Sequence, residues 1–170
     1  MYTSGVYIAI KKGRFRMNKI LLEKMQHRLE QKGVKYYTKE NVINFSINIG
    51  EIIGSLKLTI HILDDSYVSY ATLNNKAAPE NYCNIAEYLH RANFGLAFGN
   101  FEMDYFDGEI RYKYAVEIDN HNNISNHILD KCVLLPCLMF DRYGSGMMKL
   151  MLGVGTPEEL IQVAEKDSKN

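Results

Sequence analysis

The chain has 170 residues, of which 46% are hydrophobic, and its 20 basic residues balance its 20 acidic ones. A chain of this length buries enough apolar surface to fold as one domain without disulfides, and three cysteines without C-x-x-C spacing indicate reduced thiols in the cytoplasm. The balanced charge argues against nucleic acid or an acidic membrane surface as a partner, and the longest apolar run, residues 132–140, is shorter than the roughly 20 residues of a membrane helix.

The status of residues 1–16 is open. They lack the apolar core and cleavage site of a signal peptide. Codons that encode residues 12–14 include a purine tract of the ribosome-binding type, so one hypothesis is that translation begins at Met17. The alternative is an edge strand, because apolar residues alternate from Val6 to Ile10. We therefore treat residues 1–16 as an extension and residues 17–170 as a single domain.

The first part of the domain predicts one helix and three antiparallel strands. Apolar residues recur at helical spacing from Asn18 to Lys32, and Gly33 follows as a helix cap. Alternation with period two then predicts strands at Asn41–Gly50, Leu56–Ile62 and Tyr67–Leu73, joined by polar turns.

A second helix and a hairpin follow these strands. Pro79 suits the first turn of a helix, and the apolar stripe behind it ends near residues 93–95. Charged and aromatic residues then alternate from Phe98 to Asp119 around Asp107-Gly108, which is a favoured two-residue hairpin turn. The sheet therefore gains two more strands.

The predicted turn fixes a register in which the numbers of opposed residues add up to 215. The apolar face pairs Phe101 with Tyr114, Met103 with Tyr112 and Tyr105 with Ile110; the polar face pairs Glu102 with Lys113 and Asp104 with Arg111. Apolar residues meet apolar ones, and both ion pairs have opposite signs. Buried aromatic side chains stabilise the hairpin, and the charges mainly select its register.

The last third of the domain is helical. The region Ile124–Leu152 contains Pro136 and Gly144-Ser145-Gly146, so we expect a kink or a break at the proline, or two shorter helices. Segment Cys132–Phe140 is apolar on nearly every side, which predicts burial beneath the sheet or partly by a second subunit. A capping box at residues 156–159 predicts a short final helix. The fold class is α+β, with helices packed on an antiparallel sheet of about five strands in the order α-βββ-α-ββ-α.

Residues that carry chemistry do not have the spacing of a known site. The five histidines form no metal-binding group, and the glycines of residues 143–149 and 153–155 lack the spacing of a phosphate loop. Tyr112 and Tyr114 have the strand position of base-stacking residues, but basic flanks are missing. We therefore expect no enzyme, no metal, no cofactor and no nucleic-acid partner.

Segments Glu87–Asp119 and Asp141–Ile161 resemble the YbjN family, whose members are labelled sensory transduction regulators. The family pattern joins a helix that closes in asparagine to a strand with glycine and phenylalanine and then to an acidic-glycine turn. Those positions here are Asn93, Gly99, Phe101 and Asp107-Gly108. The resemblance implies a fold like that of the type III secretion chaperones, commonly dimeric and without a catalytic motif.

We expect a non-enzymatic cytoplasmic binding protein, either an adaptor with chaperone-like character or a regulator. It would bind a protein segment through apolar sheet or helix surfaces, or by strand addition at an edge such as Tyr67–Leu73. The alternative is a small-ligand sensor with a pocket between the sheet and the C-terminal helices. A homodimer is also expected. The candidate residues for self-association or partner binding are Val133, Leu134, Leu135, Leu138, Met139, Phe140, Met147 and Met151.

Overall fold

The computed structural model describes residues 18–166, so the predictions for residues 1–16 and for a start at Met17 lie outside the described residues. The elements follow the order α1 (Lys19–Gln31), β1 (Tyr37–Lys39), β2 (Val42–Asn48), β3 (Ser55–Ile62), β4 (Ser66–Leu73), a 3₁₀ turn (Pro79–Asn81), α2 (Tyr82–Phe94), β5 (Asn100–Met103), β6 (Ile110–Glu117), α3 (Asn126–Met151) and α4 (Pro157–Lys166). The α+β class is confirmed.

Within residues 18–166 the sheet has six antiparallel strands in the order β1-β2-β3-β4-β6-β5, one more than the sequence predicts. The additional strand, β1, has only three residues, which is too short for an alternation to be visible. Because β4 pairs with β3 on one side and with β6 on the other, Tyr67–Leu73 is a central strand. The prediction that it offers an edge for strand addition is wrong.

One face of the sheet carries the core. The row across five neighbouring strands consists of the buried residues Phe45, Leu58, Ala71, Tyr112 and Phe101. Two hydroxyls attach helices to this face: Tyr67 donates to the carbonyl oxygen of Leu21 in α1 at 2.7 Å, and Ser69 donates to the carbonyl oxygen of Cys132 in α3. The opposite face of the sheet, which we call the open face, carries polar and charged side chains, most of them exposed or half-buried.

The β5–β6 hairpin has a different register from the predicted one. Phe101 lies opposite Tyr112 and Met103 opposite Ile110, a shift of two positions along β6. The turn is longer because Gly108, with φ of 74°, donates its N–H to the carbonyl oxygen of Asp104 at 2.8 Å. Tyr105 therefore lies in the loop and is 59% exposed, not part of the apolar wall.

A shift by two residues keeps the side chains of β5 and β6 on their predicted faces, since alternation along a strand has period two. The charges pair differently, however. Glu102 binds both Arg111, at 2.8 Å, and Lys113, which confirms the Glu102–Lys113 pair. The predicted Asp104–Arg111 pair is wrong, because Asp104 accepts the N–H of Phe106 within the loop at 2.8 Å. Burial would raise the pKa of Glu102, but the hydrogen bonds from Lys113 and Arg111 outweigh it and hold the pKa below its usual value.

The long helix α3 continues through Pro136 for 26 residues, so the prediction of a break or of two shorter helices is wrong. The two glycines that were expected to interrupt it are packing positions. A Cβ on Gly146 would collide with the hydroxyl of Tyr88, and one on Gly144 would lie 2.5 Å from Cδ1 of Ile53. Both glycines therefore allow neighbouring elements to approach the helix closely.

The predicted capping box at the start of α4 is confirmed. The N–H of Thr156 donates to the Glu159 carboxylate at 3.2 Å, and the N–H of Glu159 donates to the Thr156 hydroxyl at 3.3 Å. Two backbone donors that a helix start leaves free are thus satisfied reciprocally. None of the helices formed by residues 18–166 combines the length and hydrophobicity needed to cross a bilayer.

Candidate protein-binding surfaces

The long helix α3 buries one side and exposes the other. Its buried side consists of Leu129, Cys132, Pro136, Phe140, Tyr143, Gly144, Gly146, Met147 and Leu150. On the opposite side, Leu134 is 54% exposed and Leu138 is 57% exposed. Because residues four apart lie above one another on a helix, these two leucines form a continuous apolar strip.

The eight residues predicted for self-association or partner binding fall into three groups. Leu134 and Leu138 are exposed, and Val133, Leu135 and Met139 are half-buried beside them. We call these five residues the long-helix surface. Phe140 and Met147 are fully buried in the core, so they do not reach it. Met151 is half-buried at the far end of α3, where its carbonyl oxygen accepts a hydrogen bond from the Asn81 amide at 3.0 Å.

A narrow apolar groove separates α1 from the long-helix surface. It has a volume of about 160 Å³, and its walls include Met25, Leu29, Val34, Leu129, Val133 and Leu134. The Arg28 guanidinium binds both carboxylate oxygens of Asp130, at 2.6 and 2.8 Å, and joins the two helices at the groove. These hydrogen bonds hold the pKa of Asp130 below its ordinary value.

An aromatic cluster fills the space between the sheet and α3. The ring of Phe101 lies 4.9 Å from that of Tyr112, 5.3 Å from that of Phe140 and 5.8 Å from that of Tyr143, in edge-on contacts. The alternative prediction of a sensor places its ligand pocket in this region. The cluster occupies that space with side chains.

A second group of exposed apolar residues lies at one end of the sheet. Antiparallel pairing brings the β2–β3 and β5–β6 turns to the same end, and the contact of Gly144 with Ile53 brings the end of α3 there too. The exposed side chains, which we call the loop-end cluster, are Ile52, Tyr105, Phe106, Leu152 and Val154, between 53% and 91% exposed. Sequence periodicity missed this cluster because its members lie in turns; Tyr105-Phe106 beside a predicted turn is the one available signal.

The residues of the family pattern have structural roles at the sheet edge. The Asn93 side chain accepts the N–H of Phe101 at 2.7 Å and donates to its carbonyl oxygen at 3.0 Å, so it pairs with β5 as a neighbouring strand would. Gly99 has a φ of 66°, and a Cβ there would lie 2.5 Å from the carbonyl oxygen of Lys113. The pattern therefore fixes and protects the edge strand rather than forming a reactive site.

Burial shifts the pKa values of three side chains of the kinds used in nucleophilic or metal chemistry. Burial raises the pKa of Cys132 to about 12 and that of Cys137 to about 11, so both remain thiols at neutral pH. Burial and then the charge of Arg111 lower the pKa of His61 on the open face of the sheet. Within residues 18–166, no group of three histidine, cysteine or acidic side chains is arranged to hold a metal ion.

Comparison with known proteins identifies the fold. No family model and no curated protein matches the sequence. Among solved structures, YbjN from E. coli, described as a proposed transcription regulator, superposes with a TM-score of 0.54 at 9% identity, over 74% of this chain and 93% of that chain. The chain therefore has a YbjN-like fold, as the sequence resemblance implied. At this identity the likeness concerns the fold and transfers no site residue.

Proposed function

We propose that this protein is a non-enzymatic cytoplasmic binding protein, an adaptor with chaperone-like character or a regulator, whose partner is a polypeptide segment. The observation that carries the proposal is the exposed leucine pair, Leu134 and Leu138, on a helix whose other side is packed. Covering apolar surface gains roughly 25 cal/mol per Å², so a polypeptide that packs on this strip is stabilised there. The YbjN-like fold supports a regulatory role, because YbjN is described as a proposed transcription regulator.

The shape of the long-helix surface and of the groove beside it favours a polypeptide over a small molecule as the occupant of this surface. Small-ligand sites usually enclose about 300–1,000 Å³. The groove beside the long-helix surface has about 160 Å³, and the interior beneath α3 is filled by Phe101, Phe140 and Tyr143. A convex helix with exposed leucines is instead typical of contacts between helices.

Two further features support the proposal. The loop-end cluster adds five large exposed apolar side chains, so apolar contact area is available at a second place on the molecule. The three cysteines, Cys83, Cys132 and Cys137, are free thiols. Free thiols are typical of reducing compartments such as the cytoplasm, and the raised pKa values of Cys132 and Cys137 argue against catalysis by either.

Photo-crosslinking in the source cell tests this function. Benzoylphenylalanine is placed at Leu138 in the long-helix surface, at Phe106 in the loop-end cluster, and at Lys57 on the open face of the sheet as the control. We expect polypeptide adducts from position 138 or 106 that are absent from position 57. Equal labelling at all three positions, or no adduct from 138 and 106, would overturn the proposal.

A further inference from the structure

We propose that the long-helix surface binds the same surface of a second copy of this chain. The two α3 helices lie antiparallel, and the twofold axis crosses them at the level of Pro136 along the helix. The inference rests on the proposed function, since it takes this surface to be a polypeptide-binding site, and it names the occupant. Three properties of α3 carry it: the spacing of its outward-facing residues, their symmetry and their charge.

The outward-facing residues of α3 are spaced alternately four and three positions apart. They are His127, Lys131, Leu134, Leu138, Asp141 and Ser145, all exposed or half-buried. This spacing places the six residues in one line along the outer face of α3, which we call the seam, and its two central positions are apolar. At 1.5 Å per residue the seam is about 27 Å long.

The seam is symmetric about Pro136. An antiparallel copy centred there places Leu134 opposite Leu138 of the second copy, and Lys131 opposite Asp141 of the second copy. Leucines therefore meet leucines in the centre, and opposite charges meet on both sides. A parallel copy would place each Lys131 against the other Lys131 and each Asp141 against the other Asp141, which is repulsive. The charge pattern thus selects the antiparallel arrangement.

Charges next to the seam follow the same symmetry but already have contacts within their own protomer. The twofold axis places Asp130 opposite Arg142, while Asp130 binds Arg28 and the Nε of Arg142 donates to the carbonyl oxygen of Ala164 at 3.2 Å. The proposed pairing therefore depends on Lys131 and Asp141. Such self-complementarity is what a twofold interface requires, and it makes a second copy the occupant that fits this surface.

The expected dimer is weak. Its central contact consists of two half-exposed leucines from each copy, extended by half-buried Val133, Leu135 and Met139. Interfaces of this kind fall at the small end of the specific range, and we expect a dissociation constant on the order of 10 µM. Sedimentation of the full chain at rising concentration measures it.

Charge reversal tests the arrangement. Lys131→Glu and Asp141→Lys each place like charges together twice per dimer, so each variant should weaken the dimer about tenfold. The double variant restores opposite charges and should return to the affinity of the unmodified chain. An equimolar mixture of the two single variants should form heterodimers, because both pairs are then complementary. Lys57→Glu on the open face of the sheet is the matched control and should have no effect.

Lys131 also lies over the Phe98 ring at 4.9 Å, so thermal unfolding of each variant is measured alongside. The double variant also lacks the contact between Lys131 and Phe98. Restored dimer affinity in the double variant therefore cannot be an effect of that contact. An unmodified chain that stays monomeric at several hundred micromolar, or a double variant as weak as the singles, would overturn the inference. A monomer whose position 138 still crosslinks to another polypeptide would overturn the dimer and leave the proposed function standing.

Discussion

The hydroxyl of Ser69 donates a hydrogen bond to the carbonyl oxygen of Cys132, the carbonyl that Pro136 leaves without its helical partner. In an α-helix the carbonyl of residue 132 accepts the N–H of residue 136, and proline has no N–H. Ser69 is fully buried on the helix-facing side of β4. The sheet thus supplies the hydrogen bond that the helix lacks, and α3 continues through the proline.

Replacement of Ser69 tests this account. Ser69→Ala leaves the Cys132 carbonyl buried and unpaired, so the free energy of unfolding should fall by about 1–3 kcal/mol. Pro136→Ala returns an N–H to the helix. In the Pro136→Ala protein, the loss of unfolding free energy caused by Ser69→Ala should therefore be smaller than in the unmodified chain by at least about 1 kcal/mol. Urea unfolding of the unmodified chain, the two single variants and the double variant measures this difference, which is the coupling between the two positions. Ser46→Ala, at an exposed position of β2, is the control; an equal cost of Ser69→Ala in both backgrounds would contradict the account.

Asn93→Ala should destabilise the edge of the sheet. The substitution removes both hydrogen bonds to the Phe101 backbone, and we expect a loss of about 1–3 kcal/mol in unfolding free energy. Hydrogen exchange of the Phe101 amide should accelerate more than exchange of amides in β3. Asn84→Ala, at an exposed position of the same helix, is the matched control and should change stability by less than about 0.5 kcal/mol.

Alanine substitutions at three glycines should form a graded series. Gly146→Ala forces a Cβ against the buried Tyr88 hydroxyl, which donates to the Tyr143 carbonyl, so we expect a loss of about 1–3 kcal/mol or more. Gly144→Ala meets the flexible end of the Ile53 side chain and should cost less. Gly95→Ala, whose Cβ would have only a 3.9 Å contact, should be tolerated. Thermal unfolding ranks the three; a Gly146→Ala protein as stable as Gly95→Ala would refute the packing role.

Protonation of His61 should destabilise the fold. Burial, and then the charge of Arg111, lower its folded pKa below the ordinary value of 6.5, so the unfolded chain takes up the proton at a higher pH than the folded one. The contribution of neutral His61 to the unfolding free energy is therefore fully present above pH 6.5. It is lost as the pH falls from 6.5 towards the lower folded pKa. Unfolding free energies measured between pH 7.5 and 5 should fall less steeply for His61→Gln. The same comparison with His90→Gln, at an exposed position, controls for loss of a histidine as such.

Periodicity alone determined much of this protein. The spacing of apolar residues placed α1, α2 and the main strands, and the alternation in Phe98–Asp119 assigned the side chains of β5 and β6 to the correct faces. Those assignments are local, because a helix or a strand repeats every few residues whatever surrounds it. The resemblance to the YbjN family rested on the same region and agrees with the observed fold.

Contacts between distant parts of the chain decided the rest. A shift of two residues in the hairpin leaves both faces unchanged, so alternation cannot detect it. The turn is held from outside the hairpin, because the N–H of Ala77, in the loop after β4, donates to the carbonyl oxygen of Gly108 at 2.9 Å. The continuity of α3 depends on Ser69, which precedes Cys132 by 63 positions. A segment that is apolar on every side does not reveal which side meets the sheet. Only packing buried Phe140 and left Leu134 and Leu138 exposed, because burial is a property of the neighbours that the fold brings together.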